Sequence, residues 1–152
     1  MKRLAFILTV SISYSLLSAQ VVVKEDGTYL DDKNNPYTGQ YCEYFDNGNI
    51  KIQMNIKSGL TDGKVEIFFK DGSIQEVRSY QIGKKNGTWQ VFNEKGIKTA
   101  EANYTSDLKD GKWFIWDDNG ILRYEMTYKN GERAGNWKTW DEEGALVGEK
   151  MY

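Results

Sequence analysis

The chain has 152 residues and a formal net charge of -2, with 39% hydrophobic, 28% charged and 14% aromatic residues, too apolar for a disordered polymer and too charged for a membrane-spanning bundle. Histidine is absent, and cysteine and proline occur once each, so histidine triads, histidine-ligated zinc, Cys-x-x-Cys redox pairs and disulfides within one chain are excluded by inventory. What remains is 15 glycines among 5 Trp, 10 Tyr and 6 Phe, a mixture that favours short strands joined by tight turns.

Lys2 and Arg3 precede an apolar stretch over residues 4–17, and Ser18, Ala19 and Gln20 follow it, the three-part pattern of a secretory signal peptide over residues 1–19. The stretch falls short of the roughly 20 apolar residues that a spanning helix needs. Cleavage after Ala19 removes Lys2 and Arg3 and takes the net charge from -2 to -4. The expected destination is outside the cytoplasm: periplasmic, outer-surface or extracellular in a bacterium. Residues 20–38 read as an N-terminal capping segment, with strand-like stretches at 21–24, 28–30 and 37–38 around the turn-rich 31–36. An open strand edge invites pairing with other chains, and a cap covers it.

From residue 39 the chain is periodic. Gly39, Gly63, Gly87, Gly111 and Gly135 are each 24 apart, and so are Gly48, Gly72, Gly96, Gly120 and Gly144. Two positions after the first glycine stand Tyr41, Val65, Trp89, Trp113 and Trp137; five after it stand Tyr44, Phe68, Phe92, Trp116 and Trp140. Eight after the second glycine come Ile56, Tyr80, Tyr104, Tyr128 and Tyr152. The five units are residues 39–62, 63–86, 87–110, 111–134 and 135–152.

Each unit reads as a hairpin. Segments such as Asp46-Asn47-Gly48 and Asp118-Asn119-Gly120 are turn signals, and Lys95 or Glu143 before the glycine argues for a type I turn closed by a glycine bulge rather than a type I′ turn. The second strand alternates: Leu122, Tyr124, Met126 and Tyr128 are expected on one face, and Arg123, Glu125 and Thr127 on the other. Trp113 and Trp116, three apart, point to opposite faces unless a bulge lies between them. The fold class that follows is all-β, an elongated single-layer antiparallel β-meander of repeated β-hairpins.

The unit Gly111, Trp113, Trp116, Gly120, Leu122, Tyr128 and Gly131 resembles the MORN-repeat family, most closely its bacterial variant, which carries G-x-W-x-x-Y-x-x-x-G followed by a leucine and a tyrosine. Val65, Ile56, Lys98 and Asp107 depart from that pattern. The resemblance implies a noncatalytic scaffold of aligned hairpins. It also implies association with proteins or membranes, and some bacterial relatives are labelled antitoxins.

Function rests on what the sheet displays. Rows from successive hairpins are two strands apart, roughly 10 Å, a spacing that suits mutual support, a protein partner or the stacking of a glycan. Phe92, Trp116 and Trp140 form the candidate aromatic binding face, since tryptophans gather in the last units. Charge divides along the two long edges. At the hairpin tips Asp46, Asp71, Glu94, Asp117, Asp118, Asp141, Glu142 and Glu143 outnumber Lys70 and Lys95. At the opposite connections Lys84, Lys85, Lys109, Lys112, Lys129 and Arg133 form a candidate basic edge for an anionic lipid headgroup or an acidic partner. The paired tip acids lack the spacing of a calcium loop, Cys42 has no base partner, and the negative charge disfavours nucleic acid, so no metal, cofactor or catalytic residue is expected. The expected function is an exported noncatalytic scaffold that binds a protein or envelope component through its aromatic sheet face. Alternatives are a periplasmic antitoxin-like inhibitor of a secreted toxin, or a glycan or phospholipid-headgroup module. N-terminal sequencing of the secreted protein is expected to begin at Gln20 or Val21; Met1 intact on a membrane-held protein would refute the signal peptide.

Overall fold

The computed structural model describes residues 21–152; the signal peptide expected over 1–19 lies outside them. Among the described residues there is no helix. Strands β1 (Val22–Val23) and β2 (Tyr29–Leu30) pair as a small hairpin. Then follow β3 (Gly39–Tyr44), β4 (Ile50–Lys57), β5 (Leu60–Phe68), β6 (Ile74–Gln81), β7 (Lys84–Lys85), β8 (Gly87–Phe92) and β9 (Lys98–Thr105). The series ends with β10 (Leu108–Lys109), β11 (Gly111–Trp116), β12 (Leu122–Lys129), β13 (Glu132–Trp140) and β14 (Leu146–Met151). From β3 onward, chain order is also spatial order in one open antiparallel sheet, the hairpin meander that the period requires.

The tips have the expected chemistry. In the fourth hairpin the Gly120 N–H donates to the Asp117 carbonyl (3.0 Å) and the Asp117 N–H to the Ile121 carbonyl (2.9 Å), with Gly120 at φ 84°. That is a type I turn followed by a glycine bulge, and only the glycine must be left-handed. Asp117 Oδ1 also accepts the N–H groups of Asn119 and Ile121, so this tip acid holds its own turn together.

A further bulge corrects the expected faces of the second strand. Ile115 pairs with Tyr124, but Trp116 pairs with Leu122, leaving Arg123 as the extra residue. Leu122 is thereby transferred to the face of Trp116, away from Tyr124, Met126 and Tyr128. The same register shift recurs beside Tyr44, Phe68, Phe92 and Trp140. Trp113 and Trp116 do lie on opposite faces, because the bulge sits in the partner strand.

The connections between hairpins are two-residue turns with both residues at positive φ: Ser58 and Gly59 (49°, 79°), Ile82 and Gly83 (48°, 76°), Ser106 and Asp107 (48°, 71°), and Asn130 and Gly131 (51°, 89°). These are type I′ turns, whose twist matches that of the flanking strands. A side chain from the preceding unit accepts the first N–H of each: Thr38 for Ser58, Asp62 for Ile82, Asn86 for Ser106 and Asp110 for Asn130.

The capping segment forms a hairpin but adds no strand to the edge of β3. It lies over one face of the first units, where the Tyr29 N–H donates to the Gly59 carbonyl (2.9 Å) and the Gly59 N–H to the Tyr37 carbonyl (2.7 Å). Beneath it Met54, Ile56 and Val65 form the buried core, with Tyr29, Tyr37 and Tyr41 packed against them.

Ile82 is a β-branched residue in the left-handed region and is 60% exposed. Relieving such strain is worth roughly 1 kcal/mol. Ile82→Asn, which creates an Asn-Gly turn, should raise the unfolding free energy measured in urea by that amount; an unchanged or lower value would contradict the turn assignment.

Candidate binding surfaces

One face of the sheet carries a continuous aromatic ladder. Its rings run Tyr80, Trp89, Tyr104, Trp113, Tyr128, Trp137 and Tyr152, with successive centroids 5.4, 5.0, 5.3, 5.1, 5.2 and 4.7 Å apart. The roughly 10 Å gap expected between tryptophans of successive hairpins is filled by the tyrosine of the intervening strand. Each tryptophan also donates its indole N–H to a carbonyl ten residues back: Trp89 to Ser79, Trp113 to Asn103 and Trp137 to Thr127, all at 3.0 Å.

The glycine two residues before each tryptophan explains this bond. Gly111 bends the strand at φ 102°, and a Cβ there would stand 3.3 Å from Asn103 Cβ. The bend interrupts the regular ladder, and the indole adds a second donor to a carbonyl that also accepts a backbone N–H, that of Asp110 at Asn103 and of Asn86 at Ser79. At the N-terminal end, where Val65 and Ile56 replace the aromatics, Tyr29 from the cap takes up the role. Its ring lies 5.1 Å from Tyr41, and its hydroxyl is 3.4 Å from Met54 Sδ. Burial pushes the Tyr29, Tyr41 and Tyr104 hydroxyl pKa values above the usual tyrosine value.

Three of the six basic-edge residues lie over this ladder. Lys85 Nζ is 4.9 Å from the Trp89 centroid and 5.1 Å from that of Tyr104; Lys109 Nζ is 4.4 and 4.7 Å from Trp113 and Tyr128. The Arg133 guanidinium stands 5.0 and 5.2 Å from Trp137 and Tyr152. Cation–π attraction therefore engages these charges within the fold. Lys112 pairs with Glu125, and Lys129 pairs with Asp110 at 3.2 Å, lowering the Asp110 carboxyl pKa. Lys84 is exposed. The sequence grouped the six by position along an edge but gave no sign that three sit on rings, because that contact depends on register between hairpins.

The opposite face carries Phe92, Trp116 and Trp140, each paired with the first residue of its own second strand: Lys98, Leu122 and Leu146. With Tyr44, Ile50, Phe68 and Ile74 from the earlier hairpins they make an apolar stripe beside the tips. Trp116 stacks on Phe114 at 5.5 Å, and Lys98 Nζ lies 4.7 Å from its ring. Lys98 also bonds Glu101 (2.6 Å), and this bond, aided by the Gln90 amide, holds the Glu101 carboxyl below the usual glutamate range against the opposing effect of partial burial. The stripe residues Tyr44 (62% exposed), Ile74 (39%) and Leu146 (49%) remain open to solvent.

The family model described as the MORN repeat variant matches residues 37–58 and 109–130. The first and fourth hairpins are thus similar to the MORN repeat variant. The two matches begin 72 residues apart, three periods, and each runs from two residues before its first glycine bend to the first residue of the following type I′ turn. No curated protein matches the chain. MORN repeats are generally noncatalytic modules that bind membranes, proteins or lipids.

The two faces should respond differently to mutation. Trp113→Ala is expected to cost roughly 3 kcal/mol and Trp113→Phe about 1 kcal/mol, the latter for the lost indole bond to a carbonyl that keeps the Asp110 N–H. Trp140→Ala should cost under about 1 kcal/mol. Urea unfolding measures all three, and equal losses would refute the division of labour. Because the Glu101 pKa is lowered by folding, its contribution is fully present above the unfolded value of about 4.3 and disappears as pH falls through the lower folded value. Glu101→Gln should therefore flatten the acid limb of the stability profile; an unchanged limb would remove Glu101 from it.

Proposed function

We propose that the protein is an exported, noncatalytic MORN-repeat scaffold that holds a protein or a cell-envelope component against the stripe containing Phe92, Trp116 and Trp140. One observation carries this reading. The aromatic ladder on the other face is engaged within the fold, whereas the stripe presents aromatic and aliphatic side chains that no other layer covers among the described residues. Large, rigid aromatics contribute most to an interface for the least conformational entropy. The basic edge is less suited to the contact, since Lys85, Lys109 and Arg133 lie on rings and Lys112 and Lys129 are ion-paired. Export rests on the charged, apolar and small-residue order of residues 1–20.

The test is affinity capture from an envelope fraction with the parent protein, followed by Trp116→Ala and Trp140→Ala. Each is expected to weaken capture by about 1–2 kcal/mol while the strand spectrum and melting remain near those of the parent. Full capture by folded variants would overturn the assignment of the stripe.

A further inference from the structure

The first two units break the period at one position that neither the ladder nor the stripe explains. The residue that opens each tip turn is Asn93, Asp117 or Asp141 in the last three units, and its side-chain oxygen accepts two turn N–H groups. In the first two units the same position holds Phe45 and Phe69. Their turns close with the same backbone bonds. The side-chain cap has moved two residues on: Asn47 Oδ1 accepts the Asn49 N–H, and Asp71 Oδ1 accepts the N–H and hydroxyl of Ser73. Turn formation therefore does not call for phenylalanine at 45 or 69, and neither residue belongs to the buried core.

Phe45, Phe68 and Phe69 instead line an open cavity of about 440 Å³ that runs across the first three tips. That volume lies in the range of ligand-sized clefts and suits one or two large side chains. The walls are tied in place, since the side-chain amides of Asn47 and Asn49 both donate to the Lys70 carbonyl at 2.9 Å, joining the first tip to the second. The rim is acidic: Asp71 and Glu94 contribute carboxylates, while the Lys70 ammonium is paired with Asp46 at 3.2 Å.

We propose that this groove receives an apolar side chain of a basic protein segment, the anchor resting on Phe45 and Phe69 and flanking lysines or arginines facing Asp71 and Glu94. Charge complementarity selects the occupant: an aromatic floor favours an apolar anchor, and an acidic rim disfavours anionic lipid or an acidic peptide. The site lies at the tips and goes beyond the stripe reading; either can fail without the other.

The probe is a terminally capped pentapeptide with one phenylalanine between pairs of lysines, titrated into the protein and followed by amide NMR shifts. Alanine-centred and glutamate-flanked peptides are the controls. Saturable shifts are expected at the amides of Phe45, Phe69 and Glu94, with each control at least about tenfold weaker and the binding diminished by salt over a Debye length of about 8 Å. The double variant Phe45→Asn, Phe69→Asn installs the residue type used at Asn93 and should keep the fold while abolishing the shifts. Glu94→Lys, which leaves the aromatic floor untouched, should weaken binding by a comparable factor. Equal binding of the alanine-centred peptide, shifts centred on Trp116 and Trp140, or full affinity in either folded variant would overturn the proposal.

Discussion

The structure depends on the hydrogen bond from an indole N–H to a carbonyl ten residues back. A sheet without a second layer over most of its length lacks the usual means of burying apolar surface, and among the described residues the buried hydrophobic side chains are Leu30, Met54, Ile56 and Val65. The glycine bends give the strands their shape and interrupt the pairing of neighbouring strands. The tryptophan ties its strand back across that bend by a second bond to an already paired carbonyl and, in the same geometry, lays its ring between two tyrosines. Stacking, hydrogen bonding and cation–π contact thus converge on one column, and the lysine or arginine above each ring pair completes it.

This convergence accounts for where the period is tolerated to fail. Val65 and Ile56 leave a gap in the ladder, and the cap fills it with Tyr29 while burying the aliphatic replacements. Asp107, which stands where the other connections have glycine, retains the left-handed geometry because aspartate visits that region more readily than most residues. Its carboxylate also accepts the Lys85 N–H at 2.8 Å. The departures are local substitutions of one support for another.

Much of this was legible in the residues. The 24-residue spacing marked the hairpins, and Lys95 and Glu143 pointed to the correct tip turn because neither suits the alternative. The opposite orientation of Trp113 and Trp116 followed from strand alternation alone. What escaped was whatever depends on register. The bulge at Arg123 moves Leu122 across the sheet, and an extra residue in one strand leaves no mark in an alternating pattern. Lys85, Lys109 and Arg133 read as a basic binding edge because, of the two rings each covers, one lies on a neighbouring strand and the other four residues on, past the glycine bend. The stripe and the groove are likewise products of assembly: nothing in the period singles out Phe45 and Phe69 until the tips are brought side by side.

The caps on the type I′ turns all point one way along the chain. Thr38, Asp62, Asn86 and Asp110 each serve a turn about twenty residues further on, and the N–H groups of Gly59, Gly83, Asp107 and Gly131 reach back to Tyr37, Thr61, Lys85 and Lys109. A unit thus finds the acceptors for its connecting turn in its predecessor, while the Lys85 N–H and the Asn47 and Asn49 amides reach forward to Asp107 and Lys70 of the unit that follows. At the connecting turns, though not at the tips, the array has a direction. Synthesis also delivers the chain from its N-terminus, so the cap and first hairpins can act as a nucleus on which later units crystallise one at a time, in the order in which they emerge.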